Sequence, residues 1–249
     1  MLLEVNEVRK VFPGRHGLVE AVHETSLHIA AGECFGLIGE SGSGKSTLAG
    51  MIAGTVVPTA GTVALEGRQL HASRGRSRRA HQRRLQMVFQ DPRTSFNPRM
   101  RVADALREPL IYKLRRSAEE QWAAIHTILE RVNLPEEILR RGLHAISVGQ
   151  AQRVAIARAL LAEPALIICD EITSALDVTV QASILDLLVQ LRREQELSML
   201  FISHDIAVVS QLADRIAVMK NGRILEQGPT QEVLANPADD YTKLLIDLA

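Results

Sequence analysis

Cysteine is nearly missing: Cys34 and Cys169 are the only two in 249 residues. No disulfide framework supports the fold, and a chain of this length builds a sufficient core without one. Both cysteines lie in apolar runs, Glu33-Cys34-Phe35-Gly36-Leu37-Ile38 and Leu166-Ile167-Ile168-Cys169, and read as buried strand thiols. Net charge is missing too. Lys plus Arg and Asp plus Glu both number 29, which excludes a global positive field for nucleic acid or wholesale membrane adsorption. No apolar run approaches the roughly 18 to 20 residues that cross a bilayer as a helix, so any work at a membrane passes through a partner. The start, Met1-Leu2-Leu3-Glu4-Val5-Asn6-Glu7, has no basic segment, apolar stretch and small-residue cleavage site in succession. It does not read as a secretory signal, and the expected compartment is the cytoplasm.

Strands are expected over Val19–Leu27, Glu33–Ile38 and Gly61–Gly67, each bounded by Gly or Pro. Lys45–Ala53 reads as a helix that follows a glycine-rich turn. From Pro92 to Leu160 the pattern is helical, with Trp122, Ile125, Ile128, Leu129 and Val132 at helical spacing. Buried strand returns at Leu166–Cys169, then a helix carrying Ile184, Leu185, Leu187, Leu188 and Leu191, then a strand at Met199–Ser203. Such alternation implies a parallel sheet covered on both faces. Asn221-Gly222, between two apolar runs, predicts a hairpin at a sheet edge. Arg74, Arg76, Arg78, Arg79, Arg83 and Arg84 form a basic cluster without interleaved aromatics, and a solvated, partly helical segment fits it better than a nucleic-acid patch. His23, His28 and His126 stand alone and read as surface or packing residues.

Gly39-Glu40-Ser41-Gly42-Ser43-Gly44-Lys45-Ser46-Thr47 matches the phosphate-binding pattern G-x-x-x-x-G-K-[ST] in full. Its glycines let backbone amides approach phosphate oxygens, and the following helix adds partial positive charge at its start. Lys45 would reach the β and γ phosphates of ATP, and the Ser46 hydroxyl would bind magnesium. A flexible Gly/Ser turn is the plainer alternative. Asp170 and Glu171 end an apolar run, at the C-terminal edge of a central strand where ligands gather. Asp170 suits hydrated Mg²⁺, and Glu171 suits an attacking water. An acidic helix cap is the competing reading of the pair.

In this order the residues resemble the ATPase subunits of ATP-binding cassette (ABC) transporters, over almost the whole chain. The motifs are the phosphate loop, Gln90 in Val88-Phe89-Gln90-Asp91-Pro92, Ile146-Ser147-Val148-Gly149-Gln150, Asp170-Glu171, Ser174-Ala175-Leu176-Asp177, and His204 in Ile202-Ser203-His204-Asp205. The resemblance implies an α/β fold: a P-loop NTPase (RecA-like) core over residues 1–91 and 160–249, with an N-terminal antiparallel β subdomain and an inserted helical subdomain over residues 92–159 that carries the signature segment. It implies that Gln90 touches magnesium and water, and that His204 contacts the γ-phosphate and keeps Glu171 in register. Ser147, Gly149 and Gln150 would face a partner's ATP, and Asp177 would communicate between sites. Phe12 would stack on adenine, with a core phenylalanine as its alternative.

Two residues depart from the family pattern. Val148 stands where the signature has its first glycine, and Ile172 replaces a proline. A positive φ at position 148 would strain a valine, so the expected second ATPase subunit is a non-identical chain. Further implied partners are transmembrane permease subunits and, indirectly, an extracytoplasmic solute-binding protein; no nucleic acid is expected. The place of action would be the cytoplasmic face of the cell membrane. The segments Gln86–Arg99 and Glu108–Leu110 and the tail Asn236–Leu245 are most similar to the peptide and nickel importer branch. The cysteine-containing extension of some members is not in this sequence, so no iron–sulfur cluster is expected. Rivals are a soluble cassette ATPase acting on DNA or ribosomes and an ATP-binding regulatory module with weak hydrolysis.

Overall fold

The computed structural model describes residues 1–14, 17–71, 83–93, 95–97, 99–174 and 176–248. Arg74, Arg76, Arg78 and Arg79 of the basic cluster, and Ala175, lie outside them. Ten strands form two sheets among the described residues. Strands β1 (Leu3–Gly14), β2 (Gly17–Ile29), β4 (Ala60–Leu65) and β5 (Arg68–Gln69) make an antiparallel sheet in the order β2-β1-β4-β5. The second sheet runs β10-β9-β3-β8-β7-β6, built from β3 (Cys34–Ile38), β6 (Leu85–Val88), β7 (Leu166–Asp170), β8 (Ser198–Ser203), β9 (Arg215–Lys220) and β10 (Arg223–Pro229). Its strands are parallel except β10, which returns antiparallel to β9 through Asn221-Gly222. Both turn residues have positive φ, 48° and 77°, as a two-residue hairpin that follows strand twist requires. The expected strands and edge hairpin are all present.

Helices α1 (Lys45–Ile52), α2 (Val102–Pro109), α3 (Ala118–Arg131), α4 (Val148–Leu160), α5 (Val178–Gln195), α6 (Ile206–Ser210), α7 (Thr230–Ala235) and α8 (Asp240–Asp247) accompany the sheets. Strand alternation divides the six-stranded sheet between two apolar cores. Phe35, Leu37, Ile168, Leu200 and Ile202 pack with Leu48 and Met51 of α1 and with the antiparallel sheet. Cys34, Ile38, Ile167, Cys169, Met199 and Phe201 face the other way, toward α4, α5 and α6. Both cysteines are buried and free, and burial pushes the Cys34 thiol up to about 12.

In α3, Ile125, Ile128 and Leu129 are buried as their spacing predicts, but Trp122 is not a core residue. It remains 38% exposed, with the Arg107 guanidinium 5.5 Å from its ring centroid. Pro109 ends α2, and a π-helical turn follows over Leu110–Leu114. Ser117 and Glu120 form a reciprocal capping box that starts α3.

Gly36 sets how closely α6 approaches β3. A Cβ built there would lie 2.2 Å from Val209 Cγ1 and 3.0 Å from Ile216 Cγ2. Both neighbours are β-branched and stiff, so Gly36→Ala should destabilise the chain by about 1–3 kcal/mol. The measurement is the denaturant midpoint, and an unchanged midpoint would show that α6 moves aside freely.

Candidate functional site

Three parallel strands deliver the candidate groups to one edge. The phosphate loop leaves β3 after Ile38, Glu171 follows Asp170 at the end of β7, and His204 follows Ser203 at the end of β8. Register makes these ends neighbours: Ile38 pairs with Ser203, and Asp170 with Ile202. A parallel sheet exposes its strand ends in this way, and the crossover helices begin beside them.

Within the loop, Gly39, Gly42 and Gly44 have φ of 158°, 83° and 105°. Neither Gly39 nor Gly44 is replaceable, since a Cβ would come within 2.1 Å of the Met219 carbonyl oxygen at the first and 2.5 Å of the Ala21 carbonyl oxygen at the second. Gly44 caps α1 in the left-handed conformation, and the free N–H groups of the first helical turn open toward the loop. Lys45, only 3% exposed, bends back so that its ammonium donates to the carbonyls of Gly39 at 2.7 Å and Glu40 at 2.8 Å. The Glu171 Oε1 atom lies 3.6 Å from the same nitrogen. Burial lowers the Lys45 pKa, and the carboxylates of Glu171 and Asp170 oppose that shift.

Glu171 is the hub of the charged cluster. Its second oxygen lies 3.7 Å from His204 Nδ1. Its backbone holds φ of 50°, a conformation that costs a side-chain-bearing residue on the order of 1–2 kcal/mol, and its N–H donates to the Ile202 carbonyl at 3.0 Å. Gln90 joins from the end of β6: its amide donates to Ser174 Oγ at 3.0 Å, and that hydroxyl donates to the Glu171 carbonyl at 2.9 Å.

Gln90, Glu171, Lys45, Ser46 and Thr47 line one cavity of about 460 Å³ with Ser41, Gly42, Gly44, Val19, Glu20, Ala21, Asn221 and Gly222. The reading of the sequence missed the last five. Asn221-Gly222 is legible as a hairpin, but its place against the loop is set by the Gly222 N–H donating to the Ser43 carbonyl at 2.8 Å. That contact is long-range and has no local signature.

Two buried polar atoms here have no hydrogen-bond partner: Ser43 Oγ and Asp170 Oδ1. Burial raises the Asp170 pKa against a hydrogen bond from Ser46 and the charge of Lys45. An unpaired, desolvated carboxylate oxygen beside a serine hydroxyl is a hard-oxygen donor set, which suits Mg²⁺.

Other expected residues stand apart from the cavity. Phe12 is 37% exposed on β1, with Lys10 Nζ 4.8 Å from its ring centroid; its cross-strand partner Val19 lines the cavity and Phe12 does not. Ser147 and Gln150 form a capping box at the start of α4, with bonds of 3.2 and 3.1 Å. Gly149 packs where a Cβ would meet Val180 Cγ1 at 2.7 Å. Asp177 caps α5 by accepting from the Val180 N–H at 3.0 Å. Val148 corrects an expectation: it is the first residue of α4 and lies outside the positive-φ set, so it carries no left-handed strain.

A family model described as "ABC transporter" matches residues 22–174. The chain is 42% identical over 247 residues to the oligopeptide transport ATP-binding protein OppF of Bacillus subtilis (strain 168), covering 98% of this chain and 81% of that protein. It is 41% identical over 256 residues to the protein of the same name from Escherichia coli (strain K12), covering 99% and 77%. Among solved structures it is similar to cbiO1 from Clostridium perfringens, described as part of the ABC transporter complex cbiONQ, with TM-score 0.83, 29% identity and coverage of 94% and 91%. It also matches the dimeric post-hydrolysis cassette MJ0796 bound to ADP and Pi, with TM-score 0.84, 29% identity and coverage of 92% and 99%.

Neutralising Asp170 tests the electrostatics without any reaction. Its raised pKa means that the ionised form costs folding free energy, a cost that grows as pH rises through the folded value. Asp170→Asn should therefore raise the Tm of the nucleotide-free chain at neutral pH by about 2 °C, while Mg²⁺ no longer strengthens ATP binding. A lowered Tm with Mg²⁺ dependence intact would contradict the assignment.

Proposed function

The chain belongs to the ABC transporter family, and from that membership we propose that it is the ATP-hydrolysing subunit of a peptide importer, with residues 92–159 as its helical subdomain. The observation that carries the reading is the convergence of Lys45, Glu171 and His204 on the ends of adjacent parallel strands, beside a glycine-rich loop. The relatives described above are oligopeptide transport proteins, which favours a peptide cargo over nickel or a metal chelate. They also favour transport over action on DNA or ribosomes.

In this reading the loop amides and the Lys45 ammonium bind the β and γ phosphates of ATP. Ser46, Gln90 and Asp170 hold magnesium, which when bound neutralises charge developing on the phosphates. The Glu171 carboxylate accepts a hydrogen bond from the attacking water and aims it at the γ-phosphorus. His204 steadies the other Glu171 oxygen and reaches the γ-phosphate, and Phe12 stacks on adenine. As the family pattern implies, Ser147, Gly149 and Gln150, which stand outside this chain's own cavity, serve the ATP of a second cassette, with Asp177 between the two sites. The Val148 isopropyl group, 36% exposed, adds bulk where the family pattern has a hydrogen, so the second cassette is taken as a non-identical chain. Among the described residues no helix is long and apolar enough to cross a membrane. In this reading attachment to the cytoplasmic face runs through permease subunits, with the solute-binding protein met only indirectly.

Lys45→Ala should weaken ATP binding by removing the charge-assisted phosphate contact. Glu171→Gln should bind ATP normally yet release phosphate about 10²-fold more slowly. Normal turnover in the Glu171→Gln assembly would refute the role given to that carboxylate.

The dock for the permease is placed at residues 91–116, directly after Gln90, so that ATP chemistry and movement share a contiguous element. Cysteines introduced at Arg99 and Tyr112, both exposed, should crosslink to a membrane subunit; the native thiols are buried and will not compete. Crosslinks only to ribosomes, DNA or nothing would favour the soluble alternative.

A further inference from the structure

Tyr241 lies in the tail segment that resembles the importer branch, yet none of the chemistry above uses it. It belongs to the first turn of α8 and is 5% exposed. Its hydroxyl accepts a hydrogen bond at 3.1 Å from the backbone N–H of Glu40, 201 residues earlier. Glu40 is the second residue of the phosphate loop, and its carbonyl is one of the two that receive the Lys45 ammonium.

The same ring makes a second contact of the same consequence. Lys220 Nζ sits 4.1 Å from the ring centroid, and Lys220 ends β9 immediately before Asn221 and Gly222, which line the cavity. One phenol thus joins the entrance of the loop to the hairpin that faces it. Tyr241 is itself held in place. Its N–H donates to Asp239 Oδ1 at 2.8 Å, and Glu226 of β10 accepts from the N–H groups of Ala238 at 2.9 Å and Asp239 at 3.2 Å. Burial raises the pKa of the phenol, so it stays neutral and available as an acceptor at physiological pH. A phenylalanine would satisfy the packing and the cation–π contact; only the contacts with Glu40, at its backbone N–H and its carboxylate, need the oxygen.

We propose that Tyr241 is a positioning residue for nucleotide binding, its hydroxyl fixing Glu40 so that the phosphate loop and Lys45 are held ready for the phosphates. This rests on the reading of the loop as the nucleotide site. The loop is left-handed at three glycines, and its internal bonds from Lys45 and from the Ser43 N–H converge on the Glu40 carbonyl, so a tie that fixes Glu40 bears on the whole loop, and this tie comes from a helix far along the chain.

The test compares Tyr241→Phe with the unsubstituted protein in the assembled complex, and uses Lys243→Ala in the same helix as a control that removes an exposed ion pair with Asp240 while leaving the Tyr241 hydroxyl in place. In nucleotide-free protein, hydrogen exchange at the Glu40 amide should accelerate in Tyr241→Phe and not in Lys243→Ala. The Kd for Mg-ATP should rise about three- to tenfold, the loss of one hydrogen bond, while kcat at saturating ATP stays within about twofold. Unchanged Glu40 exchange in Tyr241→Phe, or equal effects in Lys243→Ala, would overturn the proposal. Failure of the unsubstituted complex to bind Mg-ATP would instead refute the nucleotide reading, and the Glu40 exchange would still decide whether the tie exists.

Discussion

A buried ammonium governs this structure. Lys45 is almost fully removed from water, and an unpaired cation in that position would be far too costly to keep. Two backbone carbonyls, the Glu171 carboxylate and the charge of Asp170 compensate it. The carbonyls come from the phosphate loop and the carboxylates from the end of β7, so burying Lys45 demands that the loop after β3 and the end of β7 meet at the same place. The compensation is also exchangeable. Carboxylates that balance a lysine without a direct bond at ordinary hydrogen-bonding distance leave it free to turn toward phosphate oxygens.

The remainder of the fold can be understood as support for that edge. Alternating side chains of β3, β7 and β8 fill two cores at once, which fixes strand register, and register fixes how far Asp170, Glu171 and His204 project. The antiparallel sheet packs behind α1, and Ala21 of its β2 stands against Gly44, where no Cβ is accommodated. The hairpin after β9 meets the loop beside Ala21, through Gly222. Asp170 Oδ1 and Ser43 Oγ are left without partners, which is the expected signature of a site whose polar groups are completed by something that binds.

Much of this was legible because its signals are local. The glycine loop before Lys45, the apolar run ending in Asp170, and Asn221-Gly222 each announce a backbone geometry within a few residues. The pairing of β1 with β4 and the two-residue β5 were not, because register across separate segments depends on contacts no short window contains. The π-helical turn after Pro109 and the exposure of Trp122 were hidden for the same reason. Val148 shows a different limit. Family comparison suggested a strained backbone, but Ser147-x-x-Gln150 is a capping box that places position 148 in ordinary helix, and that pattern was readable in the sequence. Tyr241 lies in a tail noted only as a segment for its resemblance, and its bond to Glu40 could be found only once the fold closed the distance.

The central claim is that ATP places its phosphates against Lys45. An ATP analogue whose terminal phosphate carries a transferable acyl group labels whichever lysine lies beside it, and mass spectrometry identifies that lysine. The account predicts acylation of Lys45, abolished by excess Mg-ATP. Labelling confined to exposed lysines such as Lys243, indifferent to added ATP, would contradict it.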